Sequence, residues 1–187
     1  MLEWIQVLDQ KGIIYLNNLG TPAQDIFWSN ATKITLWIPL YIYFGYLIFK
    51  FYSKSEAVRI ANTIFLALAT TLLFTDVTKE FVVRDRPIND VTIGGMLRLI
   101  IQPTDYSFFS GHACNGFTIA TLMYLFLRTK TKYAWMVFLW AILFSYSRLY
   151  LGVHYPSDVL VGAVVGVVIA YGFYRLHDIY IEYMKGK

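Results

Sequence analysis

Lys79, Arg86, Ser110, Gly111, His112, Arg148, His154 and Asp158 are the side chains whose types and spacing suit them to chemistry. Lys79 and Arg86 stand seven positions apart, so one continued helix would hold both on a single side, and Pro87 ends any such helix. Three cations suit a phosphate, and the planar guanidinium fork of arginine matches its oxygens. Ser110-Gly111 opens an apolar stretch. A helix starting there offers a hydroxyl, free backbone N–H groups and the positive end of the helix dipole to an anion, and Gly111 lets the backbone approach closely. Two histidines divide acid–base work: one imidazole attacks phosphorus and the other protonates the leaving oxygen. Asp158, four residues beyond His154, is placed to hold one ring nitrogen and leave the other free. Taken singly, His154 reads as an interfacial histidine and Arg148 as a headgroup anchor. The set is what points to phosphate.

The elements that must carry these residues are apolar. The chain is 57% hydrophobic and 18% aromatic but only 15% charged, and its mean hydropathy is +0.51. A soluble domain carries about a quarter charged residues, so this balance points to lipid. The net charge of +4 is not arranged as a basic stripe, which argues against nucleic acid and fits loop cations beside anionic headgroups. A spanning helix needs roughly 20 mostly apolar residues. Five stretches approach this, at about 34–51, 60–78, 110–127, 133–150 and 158–176. The fold class is therefore all-α, a polytopic membrane helix bundle of about five spans. With no linker, repeat or low-complexity tract, the 187 residues read as one domain.

Residues 1–20 differ from the spans. Leu2, Trp4, Ile5 and Leu8 alternate with Glu3, Gln6 and Asp9 at helical spacing, and Asn17-Asn18-Leu19-Gly20 ends the pattern. This predicts an amphipathic interfacial helix, with a helix packed on the bundle as the alternative. The same polar residues interrupt any apolar run of a cleavable leader. The lone Cys114 has no partner for an intramolecular disulfide and reads as a small apolar helix residue. Gly162 and Gly166 form a small-xxx-small pair suited to close helix packing. Asp76 stands three residues before Lys79, as an intrahelical pair would. Arg84, Asp85, Asp105 and Tyr106 are near enough in sequence to reach a headgroup, and their types alone assign them no role.

The site residues all fall at span ends on one face. The opposite connections and tail hold nine Lys/Arg: Lys50, Lys54, Arg59, Arg128, Lys130, Lys132, Arg175, Lys185 and Lys187. The site face holds seven (Lys11, Lys33, Lys79, Arg84, Arg86, Arg98 and Arg148), three of them assigned to the site. The positive-inside bias puts the first set in the cytoplasm and the site on the periplasmic or outer side.

Three motifs also carry a resemblance. The run 79–87 matches KxxxxxxRP, 109–112 matches PSGH except for Phe109, and 147–158 matches SRxxxxxHxxxD. In this order and spacing they resemble the signature of the type 2 phosphatidic acid phosphatase (PAP2) superfamily, over about 80 residues. The resemblance implies a metal-independent membrane lipid phosphatase with no cofactor. In it His154 is the nucleophile that forms a phosphohistidine, with Asp158 orienting it. His112 is the general acid for the leaving group and later activates water. Lys79, Arg86, Ser110, Gly111 and Arg148 bind the phosphoryl oxygens. Phe109 in place of the family proline implies altered loop geometry rather than lost activity. The short form is most similar to bacterial enzymes acting on undecaprenyl diphosphate in the inner membrane, with phosphatidylglycerophosphate and lipid A phosphates as rivals. A lipid phosphotransferase uses the same residues. Vanadate-binding haloperoxidases share the motifs but are soluble. A flippase would explain the cations but not two histidines and an aspartate beside a helix start.

Overall fold

The computed structural model describes residues 3–186. Leu2 and Lys187, both used above, lie outside the described residues. Seven α-helices run in order: α1 (Glu3–Asn18), α2 (Pro22–Ala31), α3 (Ile38–Phe51), α4 (Lys54–Val82), α5 (Gly111–Leu127), α6 (Val137–Tyr150) and α7 (Pro156–Lys185). Among the described residues there is no strand.

The five expected spans correspond to α3–α7. Three helical stretches, Ile34–Phe51, Lys54–Asn89 and Pro156–Lys185, are long and apolar enough to cross a bilayer, while Ala134–Tyr150 is shorter. The 17 residues of α5 reach about 26 Å at 1.5 Å per residue, slightly less than a hydrocarbon core. That length suffices because α5 is the central helix. Ala113, Cys114, Gly116, Thr118 and Ala120 are buried along it, and α4, α6 and α7 pack around it. The outer faces of the long helices are exposed and apolar, as at Ile42, Phe65, Leu73, Leu160 and Val168. Such a surface belongs in lipid.

Local signals explain the helix starts. Ser53 caps α4 by accepting from the Glu56 N–H at 3.4 Å, and Glu56 reaches back to the Ser53 N–H at 3.2 Å. Thr21-Pro22 starts α2 in the same way, with Gln24 accepting from the Thr21 N–H at 3.2 Å. Between α3 and α6 the core is aromatic: Trp140 stacks on Phe144 and takes the edges of Trp37, Tyr41 and Phe44.

The small-residue pair on α7 does what its spacing suggested. A Cβ on Gly162 would sit 2.5 Å from the Ser110 carbonyl oxygen, and one on Gly166 would collide with that of Cys114. The start of α5 therefore lies directly on α7, which joins the Ser110 loop to the His154 loop. Gly162→Val is expected to destabilise the chain by about 1–3 kcal/mol through overpacking. Phosphate release per folded molecule should fall with it. Unchanged thermal unfolding and activity in detergent would contradict this close approach.

The first helix packs on α6 and α7, the second of the two alternatives weighed above. Asp9, Ile13 and Asn17, four apart, turn inward, while Trp4, Leu8 and Tyr15 are exposed. Its buried face is thus largely polar and its apolar face points outward, because Asp9 and Asn17 have partners in the bundle. Asn17 donates to the Tyr150 carbonyl at 2.8 Å and accepts from the Arg98 N–H at 2.7 Å.

Candidate active site

Four helix ends converge on one site. The chain leaves α4 at Val83, which takes a left-handed φ of 51°, a conformation uncommon for a β-branched residue. The helix expected to carry Lys79 and Arg86 together therefore stops before Arg86. Arg86 precedes Pro87 and is extended, with φ −75° and ψ 148°, as the proline ring demands. That turn sends Arg84 and Arg86 back under the bundle rather than outward.

Arg86 is the hub. Only 3% exposed, it donates from Nη1 to the Val153 carbonyl at 2.8 Å and from Nε to the Asp105 carbonyl at 2.9 Å. Its Nη2 pairs with Asp105 Oδ1 at 2.8 Å, and its Nη1 lies 3.1 Å from His154 Nε2. A guanidinium has only donors, so His154 Nε2 must present its lone pair. The proton of the neutral ring is then on Nδ1, 3.5 Å from Asp158 Oδ2. This is proximity rather than a hydrogen bond: Nδ1 is buried without a hydrogen-bond partner.

Asp158 is held elsewhere. Its Oδ2 accepts from the Tyr155 N–H at 2.9 Å, and its Oδ1 accepts from Arg84 Nη1 at 2.5 Å. Arg84 also pairs with Asp9 at 2.7 Å, and Asp9 receives the Ser157 N–H at 2.9 Å and the Ser157 hydroxyl. Arg84 therefore faces the back of the site rather than a headgroup. The first helix enters the site through Asp9.

Lys79 is 14% exposed at its side chain and pairs with Asp105 Oδ2 at 2.5 Å. It turns to Asp105 rather than to Asp76, three residues before it. Arg148, 6% exposed, donates to Thr32 Oγ1 at 2.6 Å, and its buried Nε has no partner. His112 Nε2 lies 3.2 Å from the Thr32 carbonyl oxygen, and its ring packs on Phe144 at 4.9 Å. Ser110 is the N-cap of α5, with its Oγ accepting from the Ala113 N–H at 3.4 Å and its own N–H donating to the Asp158 carbonyl at 3.0 Å. The first intrahelical donor of α5 is Cys114, which leaves the Gly111 and His112 N–H groups for an anion. Phe109 is buried, and the Phe108–Phe109 peptide is cis.

All eight expected residues thus fall around one centre. Thr32, Asp9 and the pairing roles of Arg84 and Asp105 are additions. Thr32 follows a helix that Thr21-Pro22 and Gln24 announce in the sequence, whereas no local signal marks Asp9. Among the described residues no cluster of three His, Cys, Asp or Glu forms a metal-ligand set.

Electrostatics at the loop residues keep the His154 ring uncharged. Burial, then the cations Arg86 and Arg148, hold the His154 imidazole well below its ordinary 6.5. Burial alone would raise the Asp105 carboxyl, but Lys79 and Arg86 hold it down to about 2. Attack needs neutral His154, so the acid limb of kcat/KM should lie below about 6.5. An acid limb above pH 7 that moves when His154 is altered would refute this. The unfolded chain takes up this proton first as pH falls, so stability should also decline below about 6.5.

The site opens on a groove. A cavity of about 640 Å³ runs between α3, α4 and α5, from Lys79 and His112 at the site to Ile48 and Met123 deep in the bundle.

The PAP2 superfamily model matches residues 60–181. The chain belongs to the PAP2 superfamily. It is 30% identical to a lipid A 4'-phosphatase of Bacteroides thetaiotaomicron over 174 residues, which cover 89% of this chain and 75% of the relative. It is 32% identical to an undecaprenyl-diphosphatase of Sulfolobus acidocaldarius over 171 residues, covering 91% and 75%. The crystal structure of a PAP2 type phosphatidylglycerolphosphate phosphatase from Bacillus subtilis superimposes with a TM-score of 0.72 at 22% identity. That match covers 93% of this chain and 86% of the other, and it shows the shared fold. This PAP2 protein is a phosphoric ester hydrolase with the apolar helices of an integral membrane protein.

Proposed function

We propose that this PAP2 enzyme removes the terminal phosphate of a membrane lipid phosphate or diphosphate through a phosphohistidine at His154. The observation that carries the reading is the state of His154: Arg86 fixes its Nε2 as the unprotonated nitrogen, with Asp158 behind Nδ1, while Lys79, Gly111 and His112 of the same site line an apolar groove. In the first step the Nε2–P bond forms and the bond from phosphorus to the lipid oxygen breaks. His112 gives that oxygen its proton. In the second step a water oxygen bonds to phosphorus, the N–P bond breaks, and His112 takes the water proton. Lys79, Arg86, Arg148 and the Gly111 and His112 N–H groups hold the phosphoryl oxygens. The orphaned Arg148 Nε is one donor a phosphate oxygen would satisfy. Asp158 keeps the His154 tautomer, and the 3.5 Å gap closes as the imidazole gains charge.

The lipid chain lies in the groove while its phosphate meets the site. The charge bias of the loops supports a site on the periplasmic or outer face. The relatives' names support undecaprenyl diphosphate and lipid A phosphates as substrates of this kind.

Rapid quenching with radiolabelled lipid phosphate, in EDTA, should trap an acid-labile, alkali-stable phosphoenzyme on the peptide that contains His154. Label on another residue, or turnover with no labelled enzyme, would overturn the reading.

A further inference from the structure

The groove is apolar except at Tyr41 and near its catalytic end, where Thr75, Asp76, Lys79, His112 and Asn115 line it. Asn115 lies three residues beyond His112 on α5, about 4.5 Å farther along the axis. Thr71 is the hydrogen-bond partner of its side chain among the described residues. The Thr71 hydroxyl has one proton and two acceptors in reach, the Leu68 carbonyl at 2.8 Å and the Asn115 oxygen. If Thr71 donates to Leu68, Asn115 turns its NH2 toward Thr71 and its oxygen becomes free. If Thr71 donates to Asn115, the NH2 is free. Either way one end of the carboxamide is left over. Thr75, one turn along α4 from Thr71, is 3% exposed, and its buried hydroxyl faces the weakly bonding Cys114 thiol, which leaves Asn115 as the group turned to the groove.

An aliphatic chain lying over this rung would leave the free end of the Asn115 carboxamide unsatisfied, which costs binding. We infer that Asn115 hydrogen-bonds a hydroxyl, ester or amide placed about one helical turn from the phosphate, and so selects phosphorylated glycerolipids or saccharolipids over polyprenyl monophosphates. In a polyprenyl phosphate the hydrocarbon begins at the first carbon and offers no such group. The inference rests on the lipid phosphatase reading above and sharpens its substrate. It favours the sugar- or glycerol-based alternatives over a polyprenyl monophosphate.

The test compares three monoesters on the full chain in one detergent: a diacylglycerol phosphate, a glucosamine-based lipid phosphate and a polyprenyl phosphate. The wild type should show a kcat/KM at least about ten-fold higher for one of the first two than for the third, the worth of one net hydrogen bond. Whichever is faster names the carrier of the polar group. Asn115→Leu should reduce that preference about ten-fold, and Asn115→Ser should keep part of it. Because each preference is a ratio within one preparation, partial loss of folded protein does not alter it. A wild-type preference for the polyprenyl ester, or a ratio unchanged within two-fold in both variants, overturns the inference while leaving the phosphatase intact. Absence of phosphate release from all three esters by folded wild type overturns both.

Discussion

His154→Ala is expected to lower phosphate release by at least about 10³-fold, because a covalent route has no substitute nucleophile at that position. The neighbouring groups explain why no other residue takes over. Ser110 is fully buried, and its oxygen caps α5. His112 faces the Thr32 carbonyl. Water remains the only alternative attacker, and without His154 nothing aims it in line with the leaving oxygen. The measurement is phosphate release by purified protein in detergent with EDTA present, alongside thermal unfolding to show that the variant folds. Removal of the imbedded ring also frees one Arg86 donor, so binding of the phosphate should persist while turnover disappears. If His154→Ala kept a tenth of wild-type activity, the phosphohistidine route would be wrong. Lipid movement in vesicles that survives this substitution, without phosphate release, would point to a flippase instead.

The largest effect on stability is expected from Arg84→Ala. Asp9 is 3% exposed and Asp158 fully buried, and Arg84 pairs with both, at 2.7 Å and 2.5 Å. Without it two buried carboxylates lose their shared cation, a change that costs about 3–5 kcal/mol. Thermal unfolding in detergent should show a fall in Tm of several degrees. A second substitution separates this from simple fragility: Asp9→Asn in the Arg84→Ala background removes one of the two stranded charges and should recover part of the loss. Were Arg84 a headgroup contact, activity would fall with Tm unchanged. That outcome would sink the back-of-site role.

Much of the architecture is legible in the sequence because membrane helices announce themselves by apolar length, and Ile34–Phe51 is delimited by that alone. The eight site residues are legible because each sits beside a helix end, where glycine, serine, proline and charge interrupt apolar runs. What escapes is whatever depends on distant partners. Asp105 is 26 residues from Lys79 and 19 from Arg86, and Asp9 is 148 residues from Ser157. The polarity of α1 misleads for the same reason. Its Asp9 suggests a water-facing side until the buried Arg84 is seen to receive it. The continued helix from Lys79 to Arg86 fails because Val83 turns the chain ahead of Pro87, and only Pro87 marks that break locally.

Asp105 has a consequence for turnover. Its carboxylate, ionised at any working pH, already occupies Lys79 and Arg86. The site therefore carries its own counter-ion, and an arriving phosphate gains only the difference between two anions. The same exchange runs backward after hydrolysis, when the returning carboxylate competes with inorganic phosphate for the same donors. A cation cluster that holds a phosphoryl group in the proposed route would thereby be kept from becoming a trap for its own product.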